Sequence, residues 1–451
     1  MKVHNAKKLL RAAVMLGVGV SASSILAQAQ TFTTLYSFAG YTNGDGEYPF
    51  PRGQMPFDNN GALYGTTAGG GSTQAGTVFQ LVPPQTPGGA WTENVLYTFA
   101  GGVDGKQPSE GVVFDALGNL YGSTQFGGTG ESLCGGGCGT IFELSPPTGQ
   151  GGQWTHTVLY SFQGGVDGQY PGEVLFGASG KLYGTTTSGG ANPGVPCHSN
   201  RRITYGCGTV FALSPPSQPG KSWTKTVLYT FPLFVGDGGP GSEIAIDSQG
   251  NIYSTGGGGT ANHGRVLELT PPKGNGAWLE TVLYNFKGTT ADGGDPSGGI
   301  LFGPNGVLYG TGTFNGVTNP NGIYSPSGVV YQLTPPQQPG GAWTETVLHS
   351  FPAFKTDGTN PDSTLSIDQN GNLYGTTEFG GSNVCGNWGC GAMFKLAPPS
   401  GGGWTETILY NLGNSNQNPN SSMVQFHNGL LYGTTTYLGA ADLGQVFTLV
   451  P

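Results

Sequence analysis

Cysteine is the residue type whose spacing says most about chemistry in this chain. Six cysteines form three local pairs: Cys134 with Cys138, Cys197 with Cys207, and Cys385 with Cys390. An even number of closely paired cysteines is typical of disulfides in an exported protein. Alternatively, the first two pairs and His198 could converge on a metal ion. Oxidising conditions outside the cell favour the disulfides, so we predict three of them and no metal.

The segments enclosed by the second and third cysteine pairs hold most of the side chains suited to ligand binding. The candidates are His198, Arg201, Arg202, Tyr205, Trp388 and, outside these segments, His263. Arginine, tyrosine and tryptophan offer planar groups that recognise a sugar or a carboxylate. A ligand site on these loops is one interpretation, and ordinary solvated side chains, which the sequence slightly favours, are the other.

Six Asp-Gly pairs recur along the chain, each followed by a proline within a few residues. Their aspartates are Asp45, Asp104, Asp167, Asp237, Asp292 and Asp357. Asp-Gly favours an Asx-type turn, so we expect mainly a structural role. The alternative is a ring of carboxylates that binds Ca²⁺ or a polar ligand, since hard cations prefer oxygen ligands. No Asp-x-Asp-x-Asp run supports this alternative, and we predict no cofactor.

A repeat sets the positions of these residues. The phrase Leu-Tyr-Gly-Thr-Thr, or a variant of it, occurs seven times, beginning at Leu63, Leu120, Leu182, Ile252, Leu308, Leu373 and Leu431. Each repeat holds four runs rich in Val, Ile, Tyr, Phe, Thr and Trp, bounded by Gly, Pro, Asn and Asp, which is typical of strands. Seven repeats of four strands predict an all-β, seven-bladed β-propeller.

The two ends of the chain predict how the ring closes. The last repeat stops after its third strand, whereas the segment from Phe32 to Phe38 resembles the fourth strand from Trp154 to Phe162. We therefore predict that the N-terminal strand completes the last blade. An open solenoid is the alternative, but it leaves strand edges exposed. Six fourth-strand tryptophans should pack between blades rather than form a ligand cage: Trp91, Trp154, Trp223, Trp278, Trp343 and Trp404.

Four glutamates near the predicted innermost strands are candidates for catalysis: Glu47, Glu110, Glu173 and Glu243. They could face the channel, where a glycosidase would need two carboxylates about 5 to 10 Å apart. They could equally pair with the backbone at the starts of strands. The sequence contains no Gly-x-Ser-x-Gly, His-Glu-x-x-His or phosphate-loop motif, and it marks no two of these glutamates as a pair.

The N-terminus predicts export. Basic residues precede an apolar stretch from Ala12 to Leu26 that is too short to span a bilayer, and Ala27-Gln28-Ala29 offers small residues for cleavage. We assign residues 1–29 to a signal peptide and residues 30–451 to a single propeller domain. With 16 basic and 25 acidic residues, the chain lacks the basic surface that nucleic acid requires. We expect a secreted, extracellular or periplasmic monomer without a transmembrane segment.

The repeated phrases also resemble those of a known family. Leu-Tyr-Gly-Thr-Thr, Gly-Thr-Val-Phe-x-Leu-x-Pro-Pro and Trp-Thr-Glu-x-Val-Leu-Tyr-x-Phe are similar to the GloVer tandem repeats of bacterial extracellular proteins. The similarity covers essentially everything after the signal, although repeat four departs from it with Ile252-Tyr-Ser-Thr-Gly256. The resemblance implies an exported repeat protein, often with a variable C-terminal sorting anchor. It implies no established activity and supplies no catalytic residues.

These observations favour a non-enzymatic binding or surface-interaction protein whose partner is an extracellular glycan or protein. One alternative is a hydrolase or lyase acting on polysaccharide, with acid–base work done by channel carboxylates or by His198, Arg201 and Tyr205. A structural matrix protein is the other alternative. A cleft with two neighbouring carboxyl groups and a shifted pKa would favour the enzyme.

Overall fold

The computed structural model describes residues 30–49, 53–108, 110–130, 133–149, 151–177, 180–190, 196–199, 202–218, 220–231, 237–274, 276–314, 327–338, 340–351, 358–381, 389–412, 425–437 and 439–451. These residues form a seven-bladed β-propeller of antiparallel, four-stranded blades, as predicted. Helical structure within these ranges consists of single 3-10 turns at Tyr41–Asn43, Gly165–Asp167 and Pro304–Gly306.

The innermost strands surround a central channel. In blades 2 to 7 they are Val113–Phe114, Gln169–Phe176, Asp237–Ile246, Leu301–Phe302, Ser366–Ile367 and Gln425–His427. Blade 1 has only a bridge between Phe57 and Leu63 at this place. Shorter segments pair farther along their blades: Gly46–Glu47 with Gly69–Gly70, Gly294–Pro296 with Leu308–Phe314, and Thr359–Pro361 with Leu373–Phe379.

The second and third strands form the centre of each blade. The second strands are Leu63–Thr67, Leu120–Thr124, Leu182–Ser188, Ile252–Gly258, Leu308–Phe314, Leu373–Phe379 and Leu430–Thr435. The third strands are Thr77–Val82, Thr140–Ser145, Thr209–Ser214, Arg265–Thr270, Gly328–Thr334, Ala392–Ala397 and Gln445–Leu449. Their apolar side chains are almost completely buried, because each blade packs against a neighbour on both faces.

The glycine of the repeated phrase is required by a close approach within the sheet. Gly65 lies opposite Phe79, and a Cβ at position 65 would lie 2.6 Å from the Phe79 ring. The same spacing separates a Cβ at Gly122 from the Phe142 ring. Blade 4 lacks this glycine, and there Ser254 lies opposite the smaller Leu267. The glycine therefore makes room for an aromatic ring on the neighbouring strand.

The outermost strands complete the blades and close the ring. They are Thr92–Thr98, Thr155–Ser161, Thr224–Thr230, Leu279–Asn285, Thr344–Phe351, Thr405–Asn411 and, in blade 7, Phe32–Ser37. Phe32–Ser37 pairs antiparallel with Gln445–Leu449, with Phe32 opposite Leu449. The prediction that the N-terminal strand closes the last blade is thus confirmed.

The hydrophobic core lies between blades rather than around one centre. One cluster joins Tyr121 and Ile141 of blade 2 to Leu182 and Phe211 of blade 3, with Trp223 packed against it. The other tryptophans of the outermost strands pack in the same way at the neighbouring blade junctions. The predicted structural role of these tryptophans is confirmed.

Tight turns join the innermost strands to the second strands. In the first turn, the Oδ1 atom of Asp58 accepts hydrogen bonds from the amides of Asn60 and Ala62, at 2.8 and 2.9 Å. Gly61 has a positive φ of 81°, which favours glycine at this position. The same aspartate bonding recurs at Asp115, Asp247 and Asp368. These turns define one face of the propeller, which we call the hairpin face.

Candidate functional site

A cavity of about 440 Å³ lies in the central channel. Innermost segments of blades 1 and 3 to 7 line it. Its deepest residues include Glu173, with 4 % of its surface exposed, and Glu243, with 8 %. Toward the hairpin face the lining becomes more exposed and ends at Phe302, which is 37 % exposed. The two carboxyl groups therefore lie at the more buried end of the cavity, away from the hairpin face.

Blade-to-blade hydrogen bonds fix the strand that carries Glu173. The Ser123 hydroxyl of blade 2 donates to the Gly172 carbonyl at 2.8 Å, next to Glu173. Across the channel, the backbone amide of Gln54 donates a hydrogen bond to Oε1 of Glu173 at 3.2 Å. Burial and the negative charge of Glu243 raise the pKa of Glu173 to about 8. Glu173 is therefore largely protonated at neutral pH.

Similar contacts position Glu243. The Thr185 hydroxyl of blade 3 donates to the Gly241 carbonyl at 3.0 Å. The Gly299 amide donates to Oε2 of Glu243 at 3.1 Å, and the Thr364 hydroxyl donates to the same oxygen. The Gly299 amide also lies 2.7 Å from the Thr364 hydroxyl oxygen. Groups from blades 5 and 6 thus support a carboxylate on blade 4.

Glycine is needed beside both carboxyl groups. A Cβ at Gly53 would lie 2.4 Å from Oε1 of Glu173. A Cβ at Gly299 would lie 2.5 Å from Oε2 of Glu243 and 2.6 Å from the Thr364 hydroxyl oxygen. Any larger residue would displace a carboxyl group from its place in the cavity.

The pair offers one protonated carboxyl group beside a hydrogen-bonded carboxylate. Such a pair can donate to and accept from ligand hydroxyl groups, and it can also serve as an acid and a base. Within the described ranges, no group of three or more His, Cys, Asp or Glu side chains could hold a metal ion.

The four glutamates singled out in the sequence therefore differ in their surroundings. Glu173 and Glu243 come together in the cavity. Glu47 instead accepts a hydrogen bond from the Gly70 amide, 3.1 Å from Oε1, outside the cavity. Glu110 is buried, and its backbone carbonyl accepts a hydrogen bond from Thr66 of blade 1. It is not among the residues that line the cavity.

The aspartates of the Asp-Gly pairs lie beside the outermost strand of the preceding blade. Asp45 accepts from Tyr36 at 2.9 Å, and Asp104 accepts from Tyr97 at 3.0 Å. Asp167 and Asp292 accept from Tyr160 and Tyr284 in the same way. Backbone amides donate to the same four carboxylates. The Asp237 side chain and Asp357 lie outside the part that the structure describes.

The cysteine loops lie on the face opposite the hairpin face, since they join second to third strands. Cys134 and Cys138 form a disulfide. Cys207 and Cys390 are also disulfide-bonded, and their predicted partners, Cys197 and Cys385, lie outside the described side chains.

The predicted ligand-binding residues of these loops lie largely beyond what the structure describes. His198 lies on the strand Pro196–Ser199, and Arg202 and Tyr205 lie on its partner Arg202–Tyr205, but their side chains are not described. Arg201 and Trp388 lie outside the described residues. His263 packs against the Phe314 ring, and its Nδ1 atom lies 3.8 Å from Oδ1 of Asp295. The structure does not bring His263 into the cavity.

The sequence analysis did not single out one set of ionisable residues, which lies on the outermost strands. The second residue after each outermost-strand tryptophan is Glu93, His156, Lys225, Glu280, Glu345 or Glu406. Several of these side chains face the preceding blade: Glu93 lies near Asp45, His156 stacks on Tyr97, and Glu345 lies near Asp292. Lys225, for example, lies 2.8 Å from Oδ1 of Asp167 and 5.5 Å from the centre of the Tyr160 ring. The recurring Trp-x-Glu pattern was the available signal.

Comparison of the sequence with models of known protein families identifies the family of this chain. The Gloeobacter/Verrucomicrobia repeat profile matches residues 22–195 and 198–447. The chain belongs to this repeat family. The resemblance seen in the repeated phrases is thereby confirmed. A search of curated protein sequences found no significant match.

This repeat protein is similar to several solved structures. A polysaccharide lyase of family PL25, an ulvan lyase, is 10 % identical with a TM-score of 0.49, and the alignment covers 93 % of this chain and 95 % of the lyase. A luciferin-regenerating enzyme is 13 % identical with a TM-score of 0.43, covering 91 % and 94 %. A glucose dehydrogenase is 15 % identical with a TM-score of 0.38, covering 69 % and 91 %. At these values the similarities carry no argument about activity.

In the described part of the chain, no helix has the length and hydrophobicity that crossing a lipid bilayer would need.

Proposed function

We propose that this repeat protein is an exported, non-enzymatic binding protein that takes a sugar unit of an extracellular glycan into the central cavity. The observation that carries the proposal is the pair of buried carboxyl groups, Glu173 and Glu243, that line the central cavity. Buried polar groups that converge in a concave site fix the orientation of a ligand and give it specificity.

The size and lining of the cavity suit a sugar. A volume of about 440 Å³ lies within the usual range for small-ligand sites. Glu173 can donate a hydrogen bond and both carboxyl groups can accept them, which matches sugar hydroxyl groups. Leu175, Ile300 and Leu365 add apolar surface to the lining, against which the carbon-bound hydrogens of a sugar ring can pack.

Export is supported by the N-terminal sequence and the disulfide between Cys134 and Cys138. Membership of the Gloeobacter/Verrucomicrobia repeat family agrees with an extracellular location. We propose a monomer that meets its glycan outside the inner membrane. The cysteine loops on the opposite face, with His198, Arg201, Arg202, Tyr205 and Trp388, would be a second contact surface.

A polysaccharide hydrolase or lyase is the second candidate, and one observation favours it. The pKa of Glu173 is raised to about 8 beside a second carboxyl group, a combination that suits a general acid at neutral pH. Under this alternative, Glu173 would donate the proton and Glu243 would accept one.

Glycan-array binding combined with a product assay separates these functions. The purified protein, with its disulfides intact, is applied to a broad polysaccharide array, and soluble oligosaccharide is measured after prolonged incubation. We expect saturable binding without released sugar, weakened by Glu173→Gln and by Glu243→Gln. Binding that instead depends on Arg201 or Trp388 would move the site to the cysteine loops.

Released oligosaccharide that disappears in the Glu173→Gln variant would overturn the binding proposal in favour of the enzyme. Absence of binding to any glycan would overturn both and leave a structural matrix role or a protein partner. Melting curves of each variant show whether a loss of binding reflects unfolding.

A further inference from the structure

Two side chains cross the central channel at the most buried level of the cavity. Glu173 belongs to blade 3, yet its Oε1 atom accepts a hydrogen bond from the backbone amide of Gln54 in blade 1 at 3.2 Å. Glu243 belongs to blade 4, yet its Oε2 atom accepts a hydrogen bond from the Thr364 hydroxyl of blade 6. Each carboxyl group therefore reaches past the neighbouring blade to the next one, which places it across the channel rather than along its wall.

Glycine occupies the equivalent position on each blade that is passed. In blade 2 this residue is Gly111, where an added Cβ would lie 2.2 Å from the backbone oxygen of Gln54. In blade 5 it is Gly299, whose amide donates to Oε2 of Glu243 at 3.1 Å and where an added Cβ would lie 2.5 Å from that oxygen. A side chain at either position would displace one of the crossing contacts, so both crossings depend on glycine.

Burial shows how closely the surroundings pack around these carboxyl groups. Glu173 is 4 % exposed and Glu243 is 8 % exposed, although both line the cavity. Gly53 of blade 1 also packs here, since an added Cβ would lie 2.4 Å from Oε1 of Glu173. Carboxyl groups that projected into a wide, water-filled channel would be far more exposed. In the part of the chain that the structure describes, blades 1, 3, 4, 5 and 6 therefore meet at this level and form the floor of the cavity.

We infer that this floor stops a glycan chain, so that the cavity takes the terminal sugar unit of a chain and not a unit in its interior. This inference rests on the proposed function, and it narrows the ligand from glycans in general to glycan ends. An interior unit has two neighbours, and both would have to leave the cavity on the same side of the floor. A terminal unit has one neighbour, which can extend toward the hairpin face, where the lining is more exposed.

Recognition of ends has a distinct consequence for chain length. A linear chain has one end of a given type whatever its length, whereas the number of interior units grows with length. A cavity for ends should therefore bind one protein per chain, with an affinity per mole of chain that does not depend on length. A site for interior units should instead gain affinity per chain, because a longer chain offers more equivalent positions.

Calorimetric titration of the full chain, with its disulfides intact, against one glycan at several chain lengths tests this inference. The probe is the linear glycan that binds best on the array, partly hydrolysed with acid and separated into fractions of about 4, 12 and 50 sugar units. We expect one protein per chain in every fraction and dissociation constants per chain within about twofold of one another. Several proteins on each long chain, with a dissociation constant that falls roughly fourfold between the two longer fractions, would overturn the inference.

A glycine variant locates the bound end in the cavity. Gly111→Ala pushes Gln54 away from its place beside Glu173, and we expect it to weaken the binding of every fraction by the same factor, roughly tenfold or more. Gly299→Ala tests the second crossing in the same way. Gly149→Ala, where an added Cβ meets no atom within 4 Å, should bind like the unaltered protein. Melting curves show which variants are folded.

The outcomes separate end recognition from the function on which it rests. Several proteins on each long chain would keep the glycan-binding function and remove the recognition of ends. One protein per chain, with an affinity that folded Gly111→Ala and Gly299→Ala leave unchanged, would place the bound end outside the cavity and overturn the inference. Absence of binding to every glycan on the array would remove both proposals. The titration of the unaltered protein is decisive even if neither glycine variant folds.

Discussion

Partly or fully buried glutamates with raised pKa values occur in two regions of this molecule, between the outermost strands and in the central channel. Glu93 and Glu345 lie between blades, where burial and then a neighbouring aspartate raise the pKa of each to about 8. In the channel, burial and Glu243 raise the pKa of Glu173 to the same value. The same residue type, with the same pKa, thus occurs in very different settings.

The two regions differ in whether their side-chain contacts repeat from blade to blade. The position of Glu93 recurs in every blade and always faces the preceding blade, whether glutamate, histidine, lysine or, in the closing strand, phenylalanine occupies it. Phe32 stacks on Tyr410 at 4.2 Å just as His156 stacks on Tyr97 at 4.3 Å. In contrast, the positions equivalent to Glu173 on the innermost segments of blades 1 to 6 are occupied by Gln54, Gly111, Glu173, Glu243, Gly299 and Thr364. Contacts that repeat from blade to blade serve packing, whereas two neighbouring carboxyl groups that occur together at one place among these blades suit a ligand.

The largest effect should come from separating an ion pair between blades. Lys225 has a side chain that is only 3 % exposed, and its ammonium group lies 2.8 Å from Asp167. Asp167→Ala leaves this lysine buried without its partner, and we expect a loss of about 3–5 kcal/mol in the free energy of unfolding. Urea denaturation at neutral pH measures it.

Asp104→Ala is the matched control for this change. Asp104 has the same tyrosine and amide donors, but it faces His156, whose pKa is lowered by burial to about 4 and which is therefore uncharged. We expect a loss of about 1–2 kcal/mol. Equal losses in the two variants would show that the charge of Lys225 is unimportant and would weaken the comparison.

The second prediction concerns the channel and should affect binding more than folding. Gly299→Ala places a methyl group against the Glu243 carboxylate and the Thr364 hydroxyl. We expect ligand affinity to fall by roughly tenfold or more, because the carboxylate must move. Titration with the best glycan from the array measures this. Gly149→Ala, at a position where an added Cβ meets no atom within 4 Å, should bind like the unaltered protein.

The sequence was sufficient for the features that repeat. The blades, the closing strand at Phe32 and the inter-blade tryptophans follow from periodic patterns that local physics enforces. The pairing of Glu173 with Glu243 did not follow, because it depends on how closely two innermost strands approach across the channel. The glycines beside the two carboxyl groups, Gly53 and Gly299, have no sequence period. The hydroxyl contacts between blades, such as those of Ser123 and Thr185, do recur with the repeated phrase and therefore do not single out the two glutamates. Comparing the residue four places before each hairpin turn would have pointed to the two glutamates.

The third prediction concerns alkaline stability. The pKa of Glu345 rises from an ordinary value near 4.5 to about 8 on folding, so the folded state holds a proton that the unfolded state has lost. Its contribution to stability is complete below about pH 4.5 and disappears as the pH rises through 8. Glu345→Gln should therefore flatten the fall in Tm between pH 5 and 9. An unchanged profile would mean that Glu345 is ionised in the fold.

The smallest effect, and the one that tests the packing interpretation most directly, is expected from His156→Phe. Burial lowers the pKa of His156 from 6.5 to about 4, so the unfolded chain takes up a proton first as the pH falls. His156 therefore weakens the fold as the pH falls from about 6.5 to 4. Phenylalanine, as at position 32, keeps the stack on tyrosine without this titration. We expect a change below about 1 kcal/mol at neutral pH and a smaller loss of Tm between pH 7 and 4. The reciprocal change Phe32→His should introduce acid sensitivity at the closing blade. If both variants kept the original pH profile, the repeated position would not be governed by burial between blades.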